Sequence, residues 1–129
     1  MDYNQKVTND QSKNLGIDFD GVIHDDNLGF HDGTIYGKLI EGSLESIKFL
    51  SNSFNIIIFT AKAKKDRPLV NGKTGTELVE EWLLKHDILK YVSDITAEKP
   101  RALLYIDDKG FRFENWIDTM KFIKSINEI

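Results

Sequence analysis

Two pairs of aspartates each close a short apolar run. The first run reads Leu15-Gly16-Ile17-Asp18-Phe19-Asp20-Gly21-Val22 and the second Ala102-Leu103-Leu104-Tyr105-Ile106-Asp107-Asp108-Lys109. Short β-rich runs that stop in acids read as strands of a parallel sheet delivering carboxylates to one edge. In open α/β sheets the carboxyl edge is where ligands bind. Four acids gathered there repel one another unless a cation holds them, and oxygen-only donors favour Mg²⁺ over zinc or copper. In an extended strand Asp18 and Asp20 point to the same side, unless the chain turns at once, which Gly21 permits. Two carboxylates in different surroundings can divide the work, one as an ionised nucleophile and one as a proton-bearing general acid. The plainer alternative is a solvated strand end or turn cap.

Two residues between the pairs extend this chemistry. Thr60 ends the run Asn55-Ile56-Ile57-Ile58-Phe59-Thr60. Its hydroxyl can donate to a phosphate oxygen or bond its own backbone as a turn residue. Lys99 precedes Pro100 and the Ala102 run. It can offset the charge of a nucleophilic carboxylate and of a bound phosphate, although an isolated lysine is ordinarily solvated surface.

The elements that must position these residues are those of a small α/β protein. With 129 residues the chain has room for one core. A tail over residues 1–14, polar and without an apolar signal-peptide core, precedes a single domain over residues 15–129. There is no cysteine, which excludes disulfides, thiol chemistry and cysteine-ligated zinc. The net charge of -4 gives no general attraction to nucleic acid or to an anionic membrane. No apolar stretch approaches the length of a membrane span, so the expected setting is the cytoplasm.

Strand one is expected over Leu15 to Asp20, followed by a turn and small hairpin between Gly21 and Glu41. A helix then begins near Gly42-Ser43, with Leu44, Ile47 and Leu50 along one face. The continuous β-branched run from Asn55 marks a strand buried on both faces. The charged stretch from Ala61 to Lys73 is expected as a loop. Thr74 and Glu77 have capping-box spacing, which starts a helix running to about His86. Tyr91 to Ile95 reads as a short strand, Ala102 to Asp107 as the next, and Trp116, Ile117, Met120, Ile123 and Ile126 as a closing helix. Strands alternating with helices mean a parallel sheet with right-handed crossovers.

In order, the chain carries an apolar run with Asp-x-Asp, an apolar run with Thr, Lys-Pro, and an apolar run with Asp-Asp. This order resembles the four motifs of the haloacid-dehalogenase-like (HAD) hydrolase superfamily, over roughly Leu15 to Trp116. The resemblance implies a three-layer Rossmann-like parallel sheet flanked by helices, with a small β-hairpin flap after the first strand. It implies that Asp18 is the nucleophile that forms an aspartyl-phosphate. Asp20 would protonate the leaving group, activate the hydrolytic water and lend its backbone carbonyl to the metal. Thr60 would hydrogen-bond the transferring phosphoryl group, with Ala61 and Lys62 beside it on the substrate side, and Lys99 would orient Asp18 and offset phosphate charge. Asp18, Asp20, Asp107 and Asp108 would form the Mg²⁺ site. Retention of Asp20 favours phosphoryl transfer over dehalogenation. The gaps from Ile23 to Glu41 and from Ala61 to Glu98 are too short for the family's cap domain, so the chain resembles a capless member with an open site.

The implied activity is Mg²⁺-dependent hydrolysis of a phosphomonoester, on a phosphorylated small molecule or a phosphorylated polymer end. A phospho-accepting signalling domain resembling a response regulator shares the acids, Thr and Lys. It places paired acids after its first strand, however, and here the adjacent acids come last. A catalytically silent binding domain is the third alternative. The basic run Lys62, Lys64, Lys65 and Arg67 stands near the expected active edge and is either a second anion site or a solvated loop. Asn71-Gly72-Lys73-Thr74 is not a P-loop, because Arg67 stands where the first glycine belongs. His24 and His31 read as polar turn residues, the alternatives being a second metal site with Asp25, Asp26 and Asp32 or a substrate contact by His24 and Asp25, and Trp82 and Trp116 read as core aromatics.

Overall fold

A computed structural model describes residues 13–107 and 111–127. It contains strands β1 (Asn14–Asp18), β2 (Asn55–Phe59), β3 (Val92–Thr96), β4 (Leu104–Asp107) and the two-residue β5 (Phe111–Arg112). These pair as one all-parallel sheet in the order β3-β2-β1-β4-β5. Helix α1 (Ser43–Leu50) links β1 to β2, α2 (Gly75–Lys85) links β2 to β3, and α3 (Trp116–Asn127) follows β5. The return from β3 to β4 is made without an α-helix. The chain builds outward from β1 through β2 to β3, then crosses back to place β4 on the other side of β1. The direction of winding reverses between β1 and β4, and a ligand crevice opens at the carboxyl ends of strands flanking such a reversal.

The pleat sorts the strand residues into two faces. Leu15, Ile17, Ile56, Ile58 and Ile106 are fully buried and belong to one core cluster with Ile47, Leu50, Val79, Leu83 and Ile123. Each such side chain contributes roughly 1.5–3 kcal/mol by leaving water. Helices α1 and α3 pack on each other, where the Trp116 indole N–H donates to Ser43 Oγ at 3.1 Å. On the other face Phe59 and Tyr105 meet edge to face, 6.3 Å between ring centroids.

Helix α2 begins as its sequence dictates. Thr74 Oγ1 accepts from the Glu77 N–H and Glu77 Oε1 accepts from the Thr74 N–H, a complete capping box. The β-branched run of β2 is buried on both faces, and Trp82 and Trp116 are core residues.

Three local expectations need correction. β1 takes in Asn14 from the expected tail, because its side chain is held at both ends: Nδ2 donates to the Arg101 carbonyl and Oδ1 accepts from Asn55 Nδ2. The remainder of that tail up to residue 12 lies outside the described residues. β1 also ends at Asp18 and not at Asp20. The N–H groups of Val22, Ile23 and His24 all turn back to the Phe19 carbonyl, which coils the chain out of the strand. The expected hairpin is reduced to one antiparallel bridge, His24 with Leu39. Ile117 is 72 % exposed, whereas Trp116 and Ile123 carry the inward stripe of α3. No helix among the described residues is long and apolar enough to cross a membrane.

Candidate active site

The strand register brings the first and last acids together. Ile17 pairs with Ile106, so Asp18 and Asp107 occupy the next position on neighbouring parallel strands. Such strands lie roughly 4.8 Å apart, and register partners face the same side. Asp18 is half-buried and Asp107 is buried. Lys99 Nζ stands 2.7 Å from Asp107 Oδ2. The same ammonium lies 4.5 Å from the Tyr105 ring centroid and 5.7 Å from that of Phe59. Because Phe59 is the register partner of Asp18, Lys99 lies over the strand positions that flank both acids. The two aromatic faces favour the cation and restrict where it can go.

Thr60 follows β2 directly and is 4 % exposed. Its N–H donates to the Thr96 carbonyl at 2.9 Å. Its hydroxyl oxygen accepts from the Lys62 N–H at 3.2 Å, capping a 3-10 turn over Ala61–Ala63. Acting as an acceptor there, the hydroxyl keeps its proton to donate elsewhere.

Asp20 is gripped at both oxygens. Oδ1 accepts from His24 Nδ1 at 2.8 Å, and Oδ2 accepts from Lys62 Nζ at 3.0 Å. Burial by itself would raise this carboxyl. The hydrogen bonds from His24 and Lys62, and then the Lys62 charge, outweigh burial and hold it below the ordinary aspartate value. His24 has no exposed surface, stacks on Phe19 at 5.3 Å and meets Trp82 and Tyr36 edge-on. The Gly37 N–H donates to His24 Nε2 at 2.9 Å. That nitrogen must therefore be the unprotonated one, which leaves the proton on Nδ1 to point at Asp20.

Two glycines let this grip form. A Cβ at Gly37 would lie 1.8 Å from the Asp25 oxygen and 2.8 Å from His24 Nε2, and one at Gly75 would lie 1.6 Å from the Lys62 oxygen. Only a residue without a side chain brings these backbones close enough.

The basic run expected as one patch divides into three. Lys62 turns inward to Asp20, its side chain 12 % exposed. Lys64 and Lys65 line an open cavity of about 730 Å³ with Thr76, Thr96 and Glu98 at the carboxyl ends of β2 and β3. The Arg67 guanidinium lies over the Phe30 ring at 5.2 Å. Of the expected site residues, Asp18, Thr60, Lys99 and Asp107 stand at the carboxyl ends of β1, β2 and β4, and Asp20 stands one turn beyond β1 tied to Lys62. Asp108 lies outside the described residues. Sequence reasoning missed the role of His24. The available signal was its position four residues after Asp20, which brings two side chains together once the chain coils helically.

Asp18 and Asp107 are hard oxygen donors at adjacent strand ends, the kind of set with which Mg²⁺ is held by one or two carboxylates plus substrate oxygens. The residues fit that ion. Among the described residues no group of three or more His, Asp or Glu side chains gathers as a closed cage. No family model, curated protein or solved structure matches this chain, so the reading of the site rests on its geometry and motif order.

Proposed function

We propose that this chain is a Mg²⁺-dependent phosphomonoester hydrolase of the HAD type, acting through an aspartyl-phosphate on Asp18. The observation that carries the reading is the alignment of Asp18, Thr60 and Asp107 at the carboxyl ends of the neighbouring strands β1, β2 and β4, with Lys99 on Asp107 and Asp20 one turn beyond β1.

In this reading an Asp18 carboxylate oxygen attacks phosphorus in line with the leaving oxygen. The bond from phosphorus to the leaving group breaks, and Asp20 passes to that oxygen a proton it has first taken up from solvent. Water then attacks the phosphorus of the aspartyl-phosphate and gives its proton to Asp20, so that Asp18 is regenerated and phosphate released. The Thr60 hydroxyl donates to a phosphoryl oxygen. Lys99 offsets the negative charge shared by Asp107, Asp18 and the phosphoryl group, which is where most of the barrier lowering in phosphoryl transfer arises. Bound Mg²⁺ would neutralise charge on the phosphoryl oxygens and orient the group. It would be held by Asp18, Asp107, the Asp20 carbonyl and Asp108.

The described segments between β1 and α1 and between β2 and α2 are turns and loops, which supports a capless site open to bulky substrates. The cavity lined by Ala63, Lys64, Lys65 and Thr96, at the carboxyl ends of β2 and β3, gives room for a phosphorylated small molecule or a phosphorylated polymer end. The test is hydrolysis of an aryl phosphate with and without Mg²⁺, by the wild type and by Asp18→Asn. Turnover that needs both Mg²⁺ and Asp18 is expected. Equal turnover by the two proteins would remove the mechanism.

A further inference from the structure

We infer that Lys62 and His24 are positioning residues for Asp20: together they fix both oxygens of the carboxylate that handles the leaving-group proton. The inference rests on the hydrolase reading for its chemistry, and on the geometry around Asp20 for everything else.

A carboxylate on a turn is free to rotate about its side-chain bonds. Asp20 is not, because each oxygen has its own donor, His24 Nδ1 at 2.8 Å and Lys62 Nζ at 3.0 Å. Both donors start from fixed points, and the Lys62 side chain is only 12 % exposed. The His24 ring is fully buried between aromatic neighbours and its far nitrogen is held by the Gly37 N–H. Lys62 belongs to the 3-10 turn that Thr60 caps, and its carbonyl lies against Gly75 at the start of α2. Asp20 is thereby tied to the loop after β1 through His24 and to the loop after β2 through Lys62. Misplacing a reacting group by about 1 Å costs on the order of 100-fold in rate. A general acid contributes about 100- to 10,000-fold, so the part of that contribution that depends on orientation rests on these two contacts.

The alternative for Lys62, as part of an anion site, is direct contact with substrate. The two roles differ in what they do to kinetics. A substrate-binding lysine changes KM for every phosphomonoester, whereas a residue that aims the acid changes kcat, and changes it most where the leaving oxygen needs a proton.

The experiment compares an alkyl phosphate, whose leaving oxygen is strongly basic, with 4-nitrophenyl phosphate, whose leaving oxygen departs without help. Wild type, Lys62→Met, Lys62→Arg, Asp20→Asn, the Lys62→Met/Asp20→Asn double variant and Asp18→Asn are measured, with folding checked by circular dichroism. Lys62→Met should lower kcat on the alkyl phosphate by about 10- to 100-fold and leave it within a few-fold on the nitrophenyl ester, with KM little changed on both. Lys62→Arg, which keeps a donor, should restore most of the loss. The double variant should be no slower than Asp20→Asn alone, because the lysine acts through the aspartate. A raised KM on both esters, an equal loss of kcat on both, or additive losses in the double variant would overturn the inference while Asp18→Asn stays inactive. Full activity of Asp18→Asn would instead overturn the hydrolase reading and this inference with it. His24→Phe keeps the ring volume and removes the donor. It should show the same selectivity between the two esters, and an unselective effect in a folded protein would remove His24 from the proposal.

Discussion

Gly75, the first residue of α2, lies so close to Lys62 that a Cβ there would stand 1.6 Å from the Lys62 carbonyl oxygen. The helix start and the 3-10 turn after β2 are packed backbone on backbone, and the side chain leaving that turn reaches Asp20. Gly75→Ala must push the two segments apart. The expected cost is about 1–3 kcal/mol, typical of overpacking, read as a lower urea midpoint with an unchanged m-value. Unfolding indistinguishable from wild type would show that the contact relaxes without strain.

The hydrogen bonds at His24 specify one tautomer. With Nε2 accepting from Gly37 and Nδ1 facing Asp20, nitrogen chemical shifts of the imidazole should report a neutral ring protonated at Nδ1. Gly37→Ala, whose Cβ would collide with both Asp25 and His24, should shift both resonances. A ring protonated at Nε2 in the wild type would contradict the geometry around Asp20.

The capping box of α2 gives a second stability prediction at the same helix start. Thr74→Ala removes the acceptor for the Glu77 N–H and should lower stability by about 1 kcal/mol, measured by urea unfolding. Thr74→Ser keeps the acceptor and should lose only a few tenths of that amount. Equal losses in the two would show that the hydroxyl does not carry the effect.

His86 sets a pH dependence. Burial, with the Lys85 charge behind it, holds its imidazole below the ordinary value, and Asp87 opposes the shift only in part. The ring lies 4.2 Å from that of Trp82. A base that binds protons less well when folded favours the unfolded chain once protonation begins. Its contribution is therefore complete above the unfolded value of about 6.5 and declines as pH falls through it. Thermal midpoints at pH 8 and pH 5.5 should differ more for the wild type than for His86→Gln. An identical difference would show that the shift is absent.

Much of this architecture was legible in local pattern. The runs ending in Asp18, Phe59 and Asp107 fold as parallel strands because apolar β-branched residues fit a sheet buried on both faces. Thr74 and Glu77 mark a helix start through contacts three residues apart. The order of acids, Thr60 and Lys99 was legible for the same reason, since Asp18 and Asp107 end their strands, Thr60 follows β2 directly and Lys99 stands in the loop after β3. The environment of Asp20 was not. Lys62 is 42 residues away in sequence, and its direction is set by the backbone contact at Gly75. His24 is buried because the chain coils after Asp18, a turn that alternating polarity conceals. Long-range packing decides such positions, and a single sequence carries little trace of it.

The central claim is that Asp18 carries the phosphoryl group. Acid quench of a single turnover with excess protein and an aryl phosphate, followed by peptide mapping, tests it directly. The peptide containing Asp18 should gain the mass of one phosphoryl group, labile to hydroxylamine as an acyl phosphate is, and Asp18→Asn should gain none. Phosphate attached at any other residue, or turnover that proceeds undiminished in Asp18→Asn, would contradict the account.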